Sequence, residues 1–198
     1  MEVGAATPDF LSMSKHFRDF GWRCVCIEPN PRYVQMHRDC GSEVYQFACA
    51  SDDVDNVDFQ IVHKSDRYGA NEITDHSYSA LQVKDAYLKH DNIQIESLSP
   101  VSIKVNVRKL DTVLSGLGIR HVDFLSIDVE GWELEVMKGF STRAYRPKVI
   151  LLENYTHSTE YVEYMRSLGY FLDKVVEYNY IFCRNRRGFL CSIFRADH

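Results

Sequence analysis

The chain has 198 residues, of which 45% are hydrophobic and 26% charged, and its formal net charge is −5. This content can bury one sizeable core, and no stretch rich in Pro, Gly and Ser divides the chain, so we predict a single domain over residues 1–198. The acidic balance argues against a nucleic-acid partner. Because no apolar run approaches the ~20 residues of a membrane span and no signal peptide is evident, we expect a soluble, cytoplasmic protein.

The first part of the sequence alternates between short apolar runs and helical patterns. Met1-Glu2-Val3 has the pattern of the end of a strand, because Gly4 tolerates a close backbone approach and Pro8 suits the first turn of a helix. Glu28 ends a second apolar run, and the two prolines after it prevent the strand from continuing. In chain order we predict a helix over residues 8–20, a strand over 23–28, a helix over 31–40 and a strand over 43–49.

The middle of the chain carries two runs, at 57–61 and 101–107, in which apolar and polar residues alternate. This period of two is typical of half-buried strands, so we predict antiparallel additions or edge strands there. The residues between them, 64–100, are mostly polar. We interpret them as an insertion, within a segment that spans residues 57–107.

The second half resumes the alternation of strands and helices. The run over 149–152 is continuously apolar, which is typical of a fully buried strand. The whole pattern predicts an α/β fold with a doubly wound sheet and helices on both faces. In chain order we predict a helix over 111–117, a strand over 122–128, a helix over 132–139, the strand at 149–152, a helix over 158–168 and closing strands near 170–176 and 179–184.

Glu28 is the first candidate ligand-binding residue. An acid that ends the second strand, after a glycine turn, suits a bidentate contact with the hydroxyls of a ribose, so we predict an adenosine-type cofactor. A dinucleotide site would require a G-x-G-x-x-G turn for the pyrophosphate, but only Gly4 is present. Glu2 adds a negative charge that would repel pyrophosphate and attract a sulfonium or ammonium group. The sequence therefore favours S-adenosylmethionine over NAD, and a nicotinamide-dependent oxidoreductase is the third hypothesis.

Two later strands also end in acidic or amide side chains. Asp128 and Glu130 follow one apolar run, and Glu153-Asn154 follows the next. Since ligands of open α/β sheets bind at the carboxyl ends of the strands, we predict that Asp128, Glu153 and Asn154 converge on Mg²⁺ or Mn²⁺. In the alternative, Asp128 binds the methionine end of the donor or caps the next helix, and Glu153 caps the helix that follows it.

Several short motifs follow one another in a characteristic order. These motifs are Glu2-Val-Gly-Ala, Glu28-Pro-Asn-Pro, Ala50-Ser-Asp52, Leu110-Asp111 and Ile127-Asp-Val-Glu-Gly-Trp-Glu133. Together they resemble the FkbM-type S-adenosylmethionine-dependent methyltransferases over roughly residues 1–155. The resemblance implies a seven-stranded Rossmann-like methyltransferase sheet with strand order 3-2-1-4-5-7-6 and an antiparallel last strand.

The resemblance and the strand ends together indicate a donor-binding set. Ser51-Asp52 follows the third predicted strand, where the family's adenine contact is expected, although a simple capping pair is the alternative. The family's usual second glycine after the first motif is absent, and Thr7-Pro8 stands nearby instead. The predicted set is Glu2, Gly4, Ala5, Glu28, Pro29, Asn30, Ser51, Asp52 and Asp128.

Methyl transfer to an oxygen needs a group that takes the acceptor's proton. His157 lies just beyond the Glu153 edge, and the ordinary imidazole pKa of about 6.5 suits a base. The alternative for His157 is a surface histidine before a helix. Glu130 is the rival base, and its alternative, from the family resemblance, is to orient the turn or contact the donor. The predicted catalytic set is therefore His157, Asp128 and Glu130.

The sequence predicts an O-methyltransferase that modifies a hydroxyl of a small acceptor. A sugar or glycan is the first choice, because the FkbM-like enzymes are associated with glycan, lipopolysaccharide and polyketide decoration. The second hypothesis is a non-catalytic binding module or fragment that keeps the fold, because the chain begins so close to Gly4. A homo-oligomer is compatible with either hypothesis.

Overall fold

The computed structural model of the chain describes residues 1–10, 12–61, 81 and 101–184. Within these ranges the protein is an α/β structure with one sheet of seven strands and one of three. The strands are β1 (Glu2–Val3), β2 (Val25–Ile27), β3 (Glu43–Tyr45), β4 (Ala48–Cys49), β5 (Val54–Ile61), β6 (Val101–Arg108), β7 (Phe124–Ile127), β8 (Val149–Glu153), β9 (Phe171–Val176) and β10 (Asn179–Cys183). The helices are α1 (Lys15–Asp19), α2 (Pro31–Asp39), α3 (Leu110–Gly116), α4 (Glu133–Lys138), α5 (Thr142–Tyr145) and α6 (Thr159–Ser167).

The seven-stranded sheet has the order β3-β2-β1-β7-β8-β10-β9. β1 pairs in parallel with β2 and β7, and β8 pairs in parallel with β7. β10 is antiparallel to both of its neighbours, β8 and β9. When the strands of the second sheet are set aside, this is the order 3-2-1-4-5-7-6 with a reversed last strand. The predicted fold class is confirmed.

The core of the main sheet is built around β8. Ile150 and Leu152 are 0% exposed, and Leu151 is 7% exposed, so the strand is covered on both faces. This explains its continuous apolar sequence. The helices that follow β6 add their most buried side chains to the same core, among them Leu114 of α3, Met137 of α4 and Met165 of α6.

The first helix begins later than predicted. α1 starts only at Lys15. Thr7 Oγ1 donates to the carbonyl of Phe10 at 2.6 Å and accepts from the N–H of the same residue at 3.2 Å, so this segment forms a turn instead of the start of a helix. The carboxylate of Glu2 then accepts the N–H of Ser14, directly before α1. Side chains outside the helix therefore decide where it begins.

The strand predicted over 43–49 is divided between the two sheets. β3 extends the main sheet beside β2, whereas β4 pairs with β6 in the second sheet. β5 and β6 pair antiparallel, as the alternation predicted, and Phe59, Val105 and Val107 form a small core on this sheet. The insertion predicted at 64–100 lies outside the described residues, apart from Leu81.

The elements of the second half agree with the prediction, with end points that differ by about one or two residues. The short helix α5 was not predicted. Ser141 caps its start by accepting the N–H of Ala144, and Arg146 ends it with a φ of 49°. In the described part of the chain, no helix combines the length and the apolar character that crossing a membrane requires.

Candidate active site

Neighbouring strands of the main sheet end at one edge, because β2, β1, β7 and β8 are parallel. Glu28 follows β2, Gly4 follows β1, Asp128 follows β7 and Glu153 ends β8. The carboxyl edge of a doubly wound sheet is the usual place for a ligand. The structure thus brings these predicted site residues to the same edge.

Gly4 allows β1 and β7 to converge at this edge. Its φ is +78°, and a Cβ added there would lie 1.7 Å from the carbonyl oxygen of Asp128. The N–H groups of Gly4 and Ala5 both donate to the carbonyl of Ile27, at 3.0 and 3.2 Å. The glycine is therefore required by the protein's own backbone, and the turn after β1 is tied to the end of β2.

Glu28 is buried, with 5% exposure, and holds two backbone groups. Its Oε2 accepts the N–H of Ala6 at 2.9 Å, and its Oε1 accepts the N–H of Asn30 at 2.8 Å. Burial raises the pKa of Glu28 to about 7, while these two hydrogen bonds oppose the rise and the charges of Glu2 and Asp128 add to it. The acids at residues 2, 28 and 128 are therefore close enough to influence one another.

Asn30 is buried beside Glu28 and caps helix α2. Its Oδ1 accepts the N–H of Arg32 at 3.0 Å. Its Nδ2 is buried and has no hydrogen-bond partner among the residues that the structure describes. A buried amide without a partner is unfavourable unless something else binds it. Pro29, which lies between Glu28 and Asn30, is also buried.

Glu2 is buried and binds its own chain. Its Oε1 accepts the N–H of Met13 at 2.7 Å, and its Oε2 accepts the N–H of Ser14 at 3.1 Å and the hydroxyl of Ser12 at 3.2 Å. Burial raises the pKa of Glu2, and these hydrogen bonds oppose the rise. The carboxylate predicted to face the donor therefore anchors the segment that leads into α1.

Three carboxylates meet at the ends of β7 and β8. One oxygen from each of Asp128, Glu133 and Glu153 lies within 4.8 Å of the other two. Burial raises the pKa of Asp128 to about 7; the charge of Glu133 adds to the rise, and a hydrogen bond with Glu153 opposes it. Carboxylates this close favour a shared proton or a bound cation.

Asn154, the third predicted ligand, follows β8 and binds the loop that leads into α6. The side chain of Asn154 is 0% exposed, donates to the carbonyl of Ser158 at 2.9 Å and accepts the N–H of the same residue at 2.9 Å. The carboxamide thus closes the loop before α6. Glu133, which the sequence analysis did not assign to the site, is the third acid of the cluster.

Asn179 lies beside Glu153, and the sequence analysis did not single it out. It lies directly opposite Glu153, in the antiparallel pair of β8 and β10. Opposite residues in such a pair place their side chains on the same face of the sheet. Its Oδ1 is buried and has no hydrogen-bond partner within the described ranges. The strand register, which the sequence pattern does not contain, places it opposite Glu153.

The two predicted bases lie on separate turns. Glu130 is partly buried in the β7–α4 turn and has a φ of 57°, in the left-handed region. His157 is exposed on the loop after β8 and has a φ of 52°. Its Nδ1 lies 3.1 Å from the hydroxyl of Tyr180, and its ring packs 5.5 Å from that of Tyr178. Both predicted bases therefore sit in turns that follow the acid-bearing strands.

Ser51 and Asp52 follow β4, which belongs to the second sheet and not to the main one. They follow the end of the stretch predicted as the third strand, whose last part belongs to the second sheet because the chain leaves the main sheet after Tyr45. Asp52 is exposed, and Ser51 Oγ donates to its Oδ2 at 2.9 Å. The pair stands on the turn that joins β4 to β5.

Comparison with known proteins gives a family and no individual relative. No curated protein and no solved structure matches the chain. The family model described as methyltransferase FkbM domain matches residues 2–172. The matched range includes the glycine turn after β1, Glu28, the acid cluster and the six helices α1 to α6. The chain therefore belongs to the FkbM methyltransferase domain family.

Proposed function

We propose that this protein is an S-adenosylmethionine-dependent O-methyltransferase that acts on a hydroxyl of a small acceptor, with a sugar or glycan as the first candidate. The observation that carries the proposal is Glu28, a buried acid at the end of β2 beside the glycine turn. An acid at this position suits the hydroxyls of a ribose. The acceptor class rests on the family resemblance.

The residues around Glu28 suit an adenosine ligand. Each carboxylate oxygen already accepts one backbone N–H and retains a lone pair for a hydroxyl group. The unpaired Nδ2 of Asn30 offers a hydrogen-bond donor beside this carboxylate. Gly4 and Ala5 hold the turn next to it through the carbonyl of Ile27. These features support a donor site built mainly from β1, β2 and the start of α2.

His157 is our choice for the proton acceptor. When its Nδ1–H donates to the hydroxyl of Tyr180, its Nε2 is left as an acceptor on an exposed loop beside the acid edge. Glu130, on the neighbouring turn, is the alternative base. In this scheme the chain orients the acceptor hydroxyl and removes its proton, and Asp128 lies between the donor side and the acceptor side.

We also propose Mg²⁺ or Mn²⁺ at the acid cluster. Asp128 and Glu153 would supply carboxylate oxygens, which these hard cations prefer. Asn179 is a better third ligand than the predicted Asn154, because its Oδ1 is buried and unpaired in the described structure whereas Asn154 is bound to Ser158. When bound, such a cation lowers the pKa of an alcohol oxygen that it contacts.

Calorimetry with S-adenosylhomocysteine tests the donor site. We expect a Kd on the order of micromolar for the wild-type chain and a loss of about tenfold or more for Glu28→Gln, since a polar contact to a charged group is removed. NADH is the control ligand and should not bind. No binding of S-adenosylhomocysteine would favour the alternative, a non-catalytic module that keeps the fold.

Transfer of a labelled methyl group tests the chemistry. The protein is incubated with labelled donor and a panel of monosaccharides, sugar nucleotides and polyketide alcohols, and products are identified by mass spectrometry. Methylated sugars would support the first candidate, whereas methylation of polyketides alone would replace it. Activity that EDTA does not diminish, and that Mn²⁺ does not increase, would remove the cation from the proposal.

A further inference from the structure

Glu133 is completely buried although it stands at the start of a helix. It is 0% exposed, and it is the first residue of α4. Its Oε1 accepts the N–H groups of Val129 and Gly131, both at 3.0 Å. A carboxylate at a helix start commonly reaches back to backbone N–H groups, but here it binds two groups of the preceding turn with one oxygen. The side chain therefore shapes the turn that follows β7.

The turn that Glu133 holds has an unusual backbone. Glu130 has a φ of 57° and Gly131 has a φ of 90°. The left-handed region is unfavourable for a residue with a Cβ, and such a conformation persists where its surroundings impose it. The two N–H groups that Glu133 accepts flank the peptide of Glu130 on either side. The direction of the Glu130 side chain therefore depends on Glu133.

Tyr161 extends this arrangement to the other acid-bearing strand. Its hydroxyl donates to Oε2 of Glu133 at 2.6 Å, and both side chains are buried. Tyr161 belongs to α6, which follows the loop after Glu153. A short hydrogen bond to a buried carboxylate is among the stronger kinds. It connects the turn after β7 to the helix after β8.

We propose that Glu133 and Tyr161 are positioning residues of the acid edge: they fix the turn that carries Asp128 and Glu130 and hold it against the Glu153 side. This inference rests on the proposed function of the site. Glu133 then acts through its own hydrogen bonds, which already engage both of its oxygens, and not as a ligand of the cation. Neither residue contacts the donor or the acceptor.

Kinetics of matched variants test the positioning role. Tyr161→Phe removes one hydroxyl, and we expect it to lower kcat by about tenfold while the Kd for S-adenosylhomocysteine stays within about twofold. Glu133→Gln should lower kcat by about 100-fold, because the amide cannot accept at both positions. Tyr164→Phe, on the same helix, is the control and should leave both quantities unchanged. A Tyr161→Phe enzyme with unchanged kcat would overturn the proposal.

Amide hydrogen exchange provides a measurement that needs no turnover. In the donor-free protein, the N–H groups of Val129 and Gly131 should exchange about tenfold faster in Tyr161→Phe than in the wild type. Tyr164→Phe should not change them. Unchanged exchange in Tyr161→Phe would contradict the positioning role even if the wild type fails to bind S-adenosylhomocysteine. Absence of S-adenosylhomocysteine binding would by itself contradict only the proposed function. Failure of the positioning role and failure of the proposed function are therefore distinguishable.

Discussion

The two halves of the site edge use their carboxylates in opposite ways. In the half formed by β1 and β2, Glu2 and Glu28 each bind backbone N–H groups with both oxygens. In the half formed by β7 and β8, Asp128, Glu133 and Glu153 face one another within 4.8 Å. The first half is organised by its own backbone and offers hydrogen bonds to a ligand. The second half concentrates negative charge, which a proton or a cation relieves. Of its three acids, Glu133 is also held by the N–H groups of Val129 and Gly131 and by the hydroxyl of Tyr161.

This difference assigns separate tasks to the two halves. Hydrogen bonds from backbone N–H groups keep a carboxylate in one orientation, as binding of a nucleoside requires. Mutually repelling carboxylates in addition attract cations. Changes in the first half should therefore alter folding and donor affinity, whereas changes in the second half should alter turnover and cation dependence.

The largest expected effect is at Gly4, where the two halves meet. Gly4→Ala places a Cβ 1.7 Å from the carbonyl oxygen of Asp128 and also strains a φ of +78°. We expect it to lower the free energy of unfolding by about 4 kcal/mol or more, from backbone displacement and strain together. Urea unfolding measures the change.

Gly21→Ala is the matched control for this prediction. Gly21 has a φ of +81°, but nothing lies within 4 Å of an added Cβ. Only the backbone strain then remains, so the expected loss is about 1 kcal/mol. Similar losses for the two variants would show that Gly4 matters for its backbone angle alone and not for the approach of β1 to β7.

The next effect is a pH dependence of stability that comes from both halves. Burial raises the pKa of Glu28 from 4.5 to about 7 and that of Asp128 from 3.8 to about 7. As pH rises from about 4.5 to 7, the unfolded chain releases these protons while the folded chain keeps them, so the free energy of unfolding falls. Glu28 contributes up to about 3 kcal/mol to this fall, and Asp128, whose window begins already near pH 3.8, contributes up to about 4 kcal/mol.

Substitution of either acid should reduce the slope. The free energy of unfolding of Glu28→Gln, and likewise of Asp128→Asn, should compare more favourably with that of the wild type at pH 8 than at pH 5. Urea unfolding at both pH values measures this difference. Glu43→Gln is the control, because the hydrogen bond with Arg23 lowers the pKa of Glu43 and it stays charged across this range. A parallel profile for Glu28→Gln and the wild type would show that Glu28 is ionised in the folded protein.

A third prediction separates two acids of the same half. Glu28→Gln should weaken the binding of S-adenosylhomocysteine by about 10- to 100-fold, because one buried carboxylate oxygen that would accept a ribose hydroxyl becomes an NH₂ donor. Glu2→Gln should weaken it by less than about threefold, because the Glu2 carboxylate already accepts three hydrogen bonds, from Ser12, Met13 and Ser14; its main effect should be on stability. Calorimetry measures both affinities. Equal losses would mean that Glu2 contacts the donor, as its charge first suggested.

The sequence predicted best those features that depend on near neighbours or on the family pattern. Two prolines after Glu28 stop the strand whatever surrounds it. The position of Glu28 at the end of a strand could therefore be predicted from the sequence. The apolar run of β8 likewise indicates a buried strand without knowledge of its partners. The strand order came from the family resemblance, because periodicity gives no order.

Features that depend on residues far apart in the chain could not be predicted from the sequence. The late start of α1 depends on the Glu2 carboxylate, which binds N–H groups across a turn. Asn179 joins the site only because β10 pairs with β8 in a register that places it opposite Glu153. Glu133 resembles an ordinary acid in the first turn of a helix, and only tertiary packing against Tyr161 buries it. In each case the missing information is a contact between segments far apart in sequence.

The smallest expected effect concerns Asp52, which lies in neither half of the edge. It is exposed on the turn after β4, where Ser51 donates to it. Asp52→Asn keeps the size of the side chain and removes its charge, so a contact with adenine from this turn should change the affinity for S-adenosylhomocysteine by at most about fivefold. Asp55→Asn, in β5 of the same sheet and paired with Arg108, controls for loss of charge near this turn. A loss of affinity above about 30-fold for Asp52→Asn alone would mean that the turn after β4 forms a major part of the donor site. Donor binding would then belong to the second sheet as well as to the half formed by β1 and β2.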